Sequence, residues 1–287
     1  MDGTMMDPLR VNDVAVVEHA DGADLPEHLG PRPHLHPVRT LAGRVITDVH
    51  PEDHPWHLGL SVALQDVDGW NFWGGRTFVR DRGYVDLDDH GRIEHASFPV
   101  MRADGFEERL RWRSGAGEVL LDESRSVLAR PVDSGWELSL TTTLANATER
   151  EIALGSPATN GRTGAGYGGM FWRLPPVAEP RVFAATAAGE SEIHGSVSPW
   201  VAWTDRDYTL ALTGTDTATR ADPWFVRVDG YPGVGSQLAP VAPVRLGAGE
   251  SLTRGLRALV ADGVLDAERV ASWAEAARPG SKTDDVT

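Results

Sequence analysis

The sequence predicts an all-β protein, a large antiparallel β-supersandwich with a short C-terminal helix. Apolar and polar residues alternate in short segments, which is the pattern of strands with one buried face. Turn-forming pairs such as Asp68-Gly69 and Asp104-Gly105 recur roughly every ten residues, as they do in sandwiches and barrels. Only Asp266–Ala277 has the alanine- and glutamate-rich composition of a helix, and Pro279-Gly280 is placed to end it.

Strands are clearest in three segments. In Glu137–Ala145 leucines alternate with polar residues, which predicts a half-buried antiparallel strand, and Leu252–Val260 repeats the pattern. In Glu108–Arg113 arginine occupies every second position, which predicts a strand with a basic outer face. So many strands need two large sheets packed face to face, and such a double sheet leaves one concave face for a ligand.

Composition limits the chemistry of the protein. The chain has 287 residues, no cysteine and a net charge of −15, and its one lysine is Lys282. These features exclude disulfides and cysteine nucleophiles, disfavour Schiff-base and nucleotide-loop lysines, and make nucleic acid and anionic membranes poor partners. We therefore expect a cytoplasmic protein without a nucleotide cofactor, with a single domain at residues 8–279 and flexible termini at 1–7 and 280–287.

Candidate catalytic residues concentrate in Arg32–Trp73, which holds five of the ten histidines and three of the ten tryptophans. Pro55 keeps His54 out of the helical region, so a turn presents His54 and His57 with Trp56 between them. The apolar strand that follows is a rigid mount for a site. Carboxylates beside the turn are placed to orient an imidazole.

Two roles fit these histidines. His54 and His57 are predicted to be acid–base groups of a catalytic site. Alternatively, they bind a divalent metal ion together with His36, which shares one face of an extended segment with His34 at a spacing of about 6.5–7 Å. The spacing matches no established zinc signature, so both roles stay open.

A second group of polar residues lies in Ser156–Arg173, a segment with five glycines. Glycine at this density lets the backbone approach a ligand closely, but the motifs of nucleotide-binding loops are absent. We predict that Asn160, Arg162 and Arg173 bind substrate hydroxyls or a carbonyl and that Tyr167 is a general acid. The segment would then form the wall opposite the histidines; the alternative is a surface loop without a ligand.

Other candidates have structural explanations that fit equally well. Glu123 shares a mostly apolar strand face with Arg125, so it is either a catalytic group in the wall of the site or part of an ion pair. Near another turn, Trp224 either stacks on a sugar, as Trp56 would, or packs in the core. Arg227, three residues further on, is predicted to bind substrate.

Six segments together resemble a bacterial family labelled PmoA-like, a domain of unknown function. They are HPVRTLAGRVIT, PEDHPWHLGL, NFWGG, GRIEH, GRTGAGYGGMFWR and DPWFVRVDGYPGVG, in the family's order between Arg32 and Gly263. Leu58 stands where the family usually has arginine. The resemblance implies a galactose-mutarotase-like fold. It also implies carbohydrate catabolism on oxidised (keto) sugars, because genes of the family tend to lie beside sugar-oxidising dehydrogenases and sugar transporters.

These observations predict a protein whose partner is a small carbohydrate, and they leave three hypotheses. The first is a lyase or hydrolase that cleaves a glycoside or keto sugar by histidine-based acid–base or metal-assisted chemistry. The second is a mutarotase or epimerase, which needs a histidine acid and a carboxylate base across the sugar ring. The third is a non-catalytic carbohydrate-binding protein that uses its tryptophans.

Overall fold

A computed structural model describes residues 6–276 of the protein. Its helices are α1 (Glu190–Ile193), α2 (Thr217–Ala221) and α3 (Ala267–Ala276), besides a single 3₁₀ turn at Glu27–Leu29. The strands are β1 (Leu9–Val11), β2 (Val14–Ala20), β3 (His34–Val38), β4 (Leu60–Ala63), β5 (Asp66–Val67), β6 (Thr77–Val79), β7 (Gly83–Val85), β8 (Arg92–Arg102), β9 (Gly105–Arg113), β10 (Val119–Val132), β11 (Gly135–Asn146), β12 (Ile152–Gly155), β13 (Gly169–Arg173), β14 (Arg181–Ala184), β15 (Val201–Thr204), β16 (Tyr208–Gly214), β17 (Trp224–Arg227), β18 (Gly233–Ser236), β19 (Val244–Leu246) and β20 (Ser251–Asp262).

Two antiparallel sheets dominate the fold. One has seven strands in the order β1-β2-β3-β4-β13-β18-β17, and the other has eight in the order β14-β15-β16-β20-β11-β10-β9-β8. A three-stranded sheet, β19-β12-β5, and the hairpin β6-β7 complete the structure. The predicted antiparallel all-β architecture with a C-terminal helix is therefore confirmed. Within residues 6–276, no helix has the length and apolar character needed to cross a membrane.

The structure allows only a partial comparison with the predicted limits of the domain. Most of the termini expected to be flexible, residues 1–7 and 280–287, lies outside the described part of the chain. The single domain at 8–279 stays a prediction.

The main core lies between the two large sheets, because strand alternation turns one face of each sheet inward. In β11, Leu138, Leu140 and Leu144 are almost fully buried, as their spacing predicts. They belong to one apolar cluster with Met170 and Trp172 of β13, in the seven-stranded sheet. Removing this apolar surface from water contributes about 25 cal/mol per Å² to folding.

Helix α3 covers the outer face of the eight-stranded sheet. Its Val270 and Trp273 pack on Leu259 of β20. The helix also covers Glu137, whose Oε2 accepts hydrogen bonds from Trp273 Nε1 at 2.8 Å and from Arg257 Nη2 at 2.6 Å. Glu137 is therefore buried, although the alternation in β11 alone predicts that this face is exposed to solvent.

The outer face of the seven-stranded sheet carries a second apolar cluster. Phe171 lies between Met170 and Trp172 in β13 and so points to the opposite face, where it packs with Ala63, Trp73 and Phe225. The β3–β4, β12–β13 and β17–β18 connections and the β6-β7 hairpin supply the residues that surround this cluster. The candidate site is built on this face.

Candidate functional site

A pocket of about 1130 Å³ lies over the aromatic cluster of the seven-stranded sheet. Residues of the β3–β4 connection and of the glycine-rich segment 156–173 line the same pocket, which is the pairing the sequence predicts. The predicted site residues that line it are His54, Trp56, His57, Arg162, Tyr167 and Arg227.

His54 is held by the carboxylate next to it in the chain. Its Nδ1 donates a hydrogen bond to Asp53 Oδ2 at 2.6 Å, so the lone pair of a neutral imidazole lies on Nε2. Burial acts to raise the pKa of Asp53, but the hydrogen bond from His54 and the charge of Arg173 outweigh it and hold that pKa below its usual value. Asp53 is thus ionised at neutral pH, and His54 is oriented as a base.

His57 lies behind His54, with the two rings stacked at 4.7 Å between centroids. Arg173 Nη1 donates to His57 Nδ1 at 3.4 Å, which leaves the proton of a neutral His57 on Nε2. Burial, and then the charges of His54 and Arg173, lower the pKa of His57 well below its usual value. His57 is therefore a neutral hydrogen-bond donor at neutral pH rather than a second base.

Arg173 organises both histidines without lining the pocket. Its Nη2 donates to Asp53 Oδ1 at 3.4 Å, and its guanidinium lies 5.2 Å over the ring of Tyr231. The buried Arg173 side chain contacts both Asp53 and His57, so it holds the carboxylate in place and also sets the tautomer of the imidazole. These contacts suit a positioning role, and the predicted role of Arg173 in binding substrate stays a prediction.

Replacing Arg173 by methionine is expected to raise the pKa of His57, because the arginine charge disfavours the imidazolium. The same change is expected to raise the pKa of Asp53, since a cation that stabilises its carboxylate is lost. NMR pH titrations of the two side chains measure both shifts. Arg173→Lys, which keeps the charge, should leave both values closer to those of the wild type. An unchanged pKa for His57 in the methionine variant would contradict this account of the site.

A hydrogen-bonded pair of phenols forms the other side of the pocket. Tyr167 Oη accepts from Gln65 Nε2 at 3.0 Å and lies 2.9 Å from Tyr84 Oη. Tyr84 Oη also accepts from Arg162 Nη1, whose guanidinium lies 4.9 Å over the tyrosine ring. Burial raises the pKa of Tyr167 well above its usual value. The Tyr167 phenol therefore keeps its proton and can be a hydrogen-bond donor.

Ring contacts connect the histidine side to the phenol side. The centroid of Trp73 lies 5.8 Å from that of His57 and 4.9 Å from that of Tyr167. Tyr231 closes the histidine side at 4.5 Å from His54, and burial raises its pKa to about 12. A ligand over Trp73 therefore faces an imidazole on one side and phenols on the other.

A buried arginine supports the pocket floor from below. Arg32 is fully buried and donates to the carbonyl oxygens of Trp56 at 2.9 Å and Trp73 at 3.0 Å. Burial, and then the charge of Arg125, lower its pKa to about 9, so it stays cationic at neutral pH. Gly75 fits under Trp56 only because it has no side chain, since a Cβ there would lie 2.6 Å from the indole.

Four other predicted site residues do not line the pocket. His36 Nδ1 is hydrogen bonded to Thr47 Oγ1 at 2.9 Å. Asn160 Nδ2 donates to Asp66 Oδ2 at 2.9 Å, and Trp224 packs in the main core, where its Nε1 donates to Ser198 O at 2.9 Å. Glu123 is buried in an ion pair with Arg125. For Trp224 and Glu123 the structure has the structural alternatives, core packing for the tryptophan and an ion pair for the glutamate.

The metal set predicted from the sequence does not assemble. His54 and His57 are neighbours, but His36 is engaged by Thr47, outside the pocket. Across residues 6–276, no three His, Cys, Asp or Glu side chains are arranged to hold a metal ion.

Several pocket residues escape sequence reasoning. Gln65, Trp73, Tyr84 and Tyr231 line the pocket, and three of the chain's four tyrosines meet there. Tyr84 lies in a short turn-flanked segment without a recognisable motif, and Tyr231 lies within DPWFVRVDGYPGVG but is not singled out by that motif. For Tyr84 the rarity of tyrosine is the only signal that the sequence offers, and the fold alone brings the tyrosines together.

Comparison with known proteins identifies a family but no activity. Residues 8–275 match a family described as Family of unknown function (DUF6807). No protein with curated annotation matches significantly. Solved structures with similar coordinates include a putative aldose 1-epimerase from Escherichia coli K12, with 13% identity over 71% of this chain and 84% of that chain at a TM-score of 0.42.

Two further similar structures come from other bacteria. A galactose mutarotase related enzyme from Lactobacillus acidophilus has 10% identity over 87% of this chain and 97% of that chain, with a TM-score of 0.41. A heparan sulfate lyase HepC mutant from Pedobacter heparinus has 10% identity over 78% of this chain and 30% of that chain, with a TM-score of 0.35. Similarities this distant carry no argument about activity.

Proposed function

The chain belongs to the Family of unknown function (DUF6807), and we propose that its pocket is the active site of a carbohydrate lyase that cleaves glycosides of oxidised (keto) sugars. One observation carries the proposal: a base and an acid lie around one aromatic floor. The base is His54, oriented by Asp53, and the acid is the phenol pair Tyr84–Tyr167.

The walls of the pocket suit a sugar. Indole and phenol rings of Trp56, Trp73 and Tyr231 offer flat faces for the apolar side of a pyranose, while imidazole, guanidinium and phenol groups are available to its hydroxyls. The volume of about 1130 Å³ lies just above the range of about 300–1,000 Å³ for small-molecule sites. The pocket therefore has room for a glycoside and its aglycone.

His54 would remove the proton next to the keto group. A carbonyl at C3 of the sugar acidifies the hydrogen on C2, and Nε2 of His54 accepts that proton. The electron pair of the C2–H bond moves toward C3 and forms an enolate. Asp53 Oδ2 stabilises the imidazolium that results, through the hydrogen bond from Nδ1.

The second half of the reaction breaks the glycosidic bond. As the enolate collapses, a C1–C2 double bond forms and the C1–O bond breaks. The leaving oxygen takes a proton from the phenol pair, which the proton held by His54 can later restore through solvent. The products are an unsaturated keto sugar and the free aglycone, so atoms and charge balance.

Cations around the floor favour the anionic intermediate. Arg32 and Arg173 are buried beneath the pocket, and Arg227 lines it. In surroundings of low dielectric their field acts on the enolate oxygen more strongly than it would in water. The neutral His57, which has its proton on Nε2, adds a hydrogen-bond donor.

Incubation with matched native and 3-keto glycosides tests the proposal. We expect release of the aglycone from the keto glycosides only, with product analysis by NMR. In deuterated water, the C2 hydrogen should exchange in substrate that is recovered. Glycosidic bonds that stay intact across the panel would rule out the lyase.

The same panel separates the other hypotheses. A faster change in optical rotation of fresh α-glucose or α-galactose, without bond cleavage, would identify a mutarotase. Binding measured by calorimetry without either reaction would identify a carbohydrate-binding protein. Metal analysis of the untagged protein tests whether an ion assists. The PmoA-like label and the cytoplasmic location stay predictions.

A further inference from the structure

The two phenols of the pocket lie between two groups that donate hydrogen bonds to them. At one end, Gln65 Nε2 lies 3.1 Å from the carbonyl oxygen of Arg76 and 3.0 Å from Tyr167 Oη. A backbone carbonyl only accepts, so the nitrogen of this amide faces both oxygens and donates to each. At the other end, the guanidinium of Arg162 donates to Tyr84 Oη. Each phenol oxygen is therefore the acceptor of a fixed donor.

This arrangement leaves one phenol proton for a ligand. The two hydroxyl groups carry two protons, and one of these lies in the 2.9 Å hydrogen bond between the oxygens of Tyr84 and Tyr167. Neither proton is taken up by Gln65 or Arg162, because both present N–H groups to the phenols. The second proton is therefore available to an acceptor in the pocket, which both phenols line.

Tyr167 is the phenol that adjoins the aromatic floor. The centroid of its ring lies 4.9 Å from that of Trp73 and 5.8 Å from that of Phe225. Tyr84 comes from the β6-β7 hairpin, where its ring packs against Phe78 at 5.5 Å between centroids. A sugar over Trp73 is therefore next to Tyr167, and Tyr84 is linked to it through the hydrogen bond between the two oxygens.

A negative charge is stabilised better on Tyr84 than on Tyr167. Tyr84 Oη accepts from a guanidinium, whereas Tyr167 Oη accepts from a neutral amide, and hydrogen bonds from ionised donors are roughly twice as strong. Burial, and then the neighbouring Tyr84, raise the pKa of Tyr167 well above its usual value. By itself Tyr167 is a poor acid, although it is the phenol that adjoins the floor.

From this geometry we propose that the phenols form a proton relay, in which Tyr167 protonates the leaving oxygen, Tyr84 replaces that proton and Arg162 stabilises the resulting charge. The inference rests on the proposed lyase function and assigns the roles within its acid. Arg162 is then a positioning residue of the relay instead of a ligand for the sugar hydroxyls.

The relay balances in protons and charge. As the C1–O bond breaks, the leaving oxygen takes the proton of Tyr167, and Tyr167 Oη takes the proton of Tyr84. The electron pair of the Tyr84 O–H bond stays on its oxygen, which becomes a phenolate beside Arg162. The proton that His54 has removed from C2 then returns to Tyr84 through solvent.

Keto glycosides that differ only in the leaving group test the relay. Methoxide needs a proton in order to leave, whereas 4-nitrophenolate leaves as a stable anion. We expect Tyr84→Phe to lower kcat for a methyl 3-keto-glucoside by about 10²-fold, within the usual range for a general acid, and kcat for the 4-nitrophenyl glycoside much less. A purely structural role of Tyr84 would lower both by the same factor.

Further variants assign the other roles. Tyr167→Phe should show the same dependence on the leaving group. Arg162→Gln should lower cleavage of the methyl glycoside about tenfold, and Arg162→Lys, which keeps the charge, should recover part of the loss. Tyr208→Phe removes a phenol of the main core and is the matched control, with both substrates cleaved at the wild-type rate. Exchange of the C2 hydrogen in deuterated water should persist in every variant, because His54 is intact.

An ultraviolet pH titration without substrate tests the position of the charge independently. The chain has four tyrosines, and burial raises the pKa values of Tyr167, Tyr208 and Tyr231. We expect the phenolate that appears first as the pH rises to be missing in Tyr84→Phe and present in Tyr167→Phe. In Arg162→Gln the same phenolate should appear at a higher pH, because its cation is lost.

Two results would overturn the relay. One is an equal loss of activity on both leaving groups in Tyr84→Phe, and the other is a first phenolate that survives this substitution. The titration needs no turnover, so its outcome is separable from that of the lyase proposal. The expected titration in a protein that cleaves no keto glycoside would keep the order in which the phenols ionise and remove the proposed reaction. Cleavage that Tyr84→Phe leaves unchanged on both substrates would keep the lyase and remove the relay.

Discussion

Replacement of His54 by glutamine is expected to lower kcat for keto-glycoside cleavage by about 10²–10⁴-fold, the usual contribution of a general base. Glutamine keeps the size and hydrogen-bonding capacity of the side chain but has no nitrogen that titrates near neutral pH. The aromatic floor and the phenol side are unchanged, so KM should move by only a few-fold. Steady-state kinetics with a 3-keto glycoside, followed by release of the aglycone, measures both constants.

Two neighbouring carboxylates provide a matched pair of controls for this base. Asp53 accepts the Nδ1 hydrogen bond of His54, whereas Glu52 is exposed and has no side-chain partner among residues 6–276. Asp53→Asn should therefore lower kcat by tenfold or more, because an amide stabilises the imidazolium less and holds its tautomer less strictly. Glu52→Gln should leave kcat nearly unchanged. Wild-type turnover in His54→Gln would remove His54 from the mechanism.

Much of the fold follows from local patterns in the sequence. The leucines of β11 alternate, and α3 begins one residue after the predicted start of the helix, whose predicted last residue, Ala277, lies outside the described part of the chain. Local patterns do not show which other elements of the fold cover each face of a sheet. Glu137 is polar and lies on the outer side of its strand, yet α3 buries it because Trp273 and Arg257 satisfy its carboxylate. Burial of that kind depends on Trp273 of α3, which lies 136 residues further along the chain, so no short window of sequence contains both residues.

The candidate site was predictable in detail on its histidine side and only in part on the other side, where Arg162 and Tyr167 line the pocket but Asn160 does not. Pro55 and the adjacent carboxylate make the presentation of His54 a local property of the turn, and the structure has the expected Asp53 contact. On the other side, the direction of each side chain depends on tertiary partners. Asn160 turns to Asp66, and Tyr84 enters the pocket from a separate hairpin. Polar residue types in a glycine-rich loop indicate a site, but they do not show which side chains face it.

The carboxylate of Glu123, a catalytic candidate in the sequence, makes contacts that stabilise the fold. Its Oε1 accepts from Arg125 Nε at 2.8 Å and from Thr142 Oγ1 at 2.8 Å, and its Oε2 accepts from Trp112 Nε1 at 2.8 Å. Both partners of the ion pair are almost fully buried, at 1% and 3% exposure. With its oxygens engaged inside the protein, the carboxylate is not available to a ligand of the pocket.

Glu123→Gln is therefore expected to cost about 3–5 kcal/mol of the free energy of unfolding, the range for breaking a buried ion pair. The glutamine keeps the volume, so the cost comes from the charge of Arg125, which burial prevents water from solvating. This is a large part of the roughly 5–15 kcal/mol that stabilises a typical domain. Urea unfolding followed by circular dichroism measures it. The activity of each folded molecule should stay at the wild-type level.

Two further variants separate the lost charge from other effects of substitution. Asp122→Asn changes the neighbouring carboxylate, which is exposed and lies 3.9 Å from Arg111, so it should alter stability by less than about 0.5 kcal/mol. Glu123→Leu combined with Arg125→Met removes both charges of the pair and should recover part of the stability lost by Glu123→Gln, the remaining loss coming from Trp112 Nε1 and Thr142 Oγ1, whose acceptor is gone. A Glu123→Gln protein that unfolds at the wild-type urea concentration but fails to turn over substrate would return Glu123 to the catalytic site.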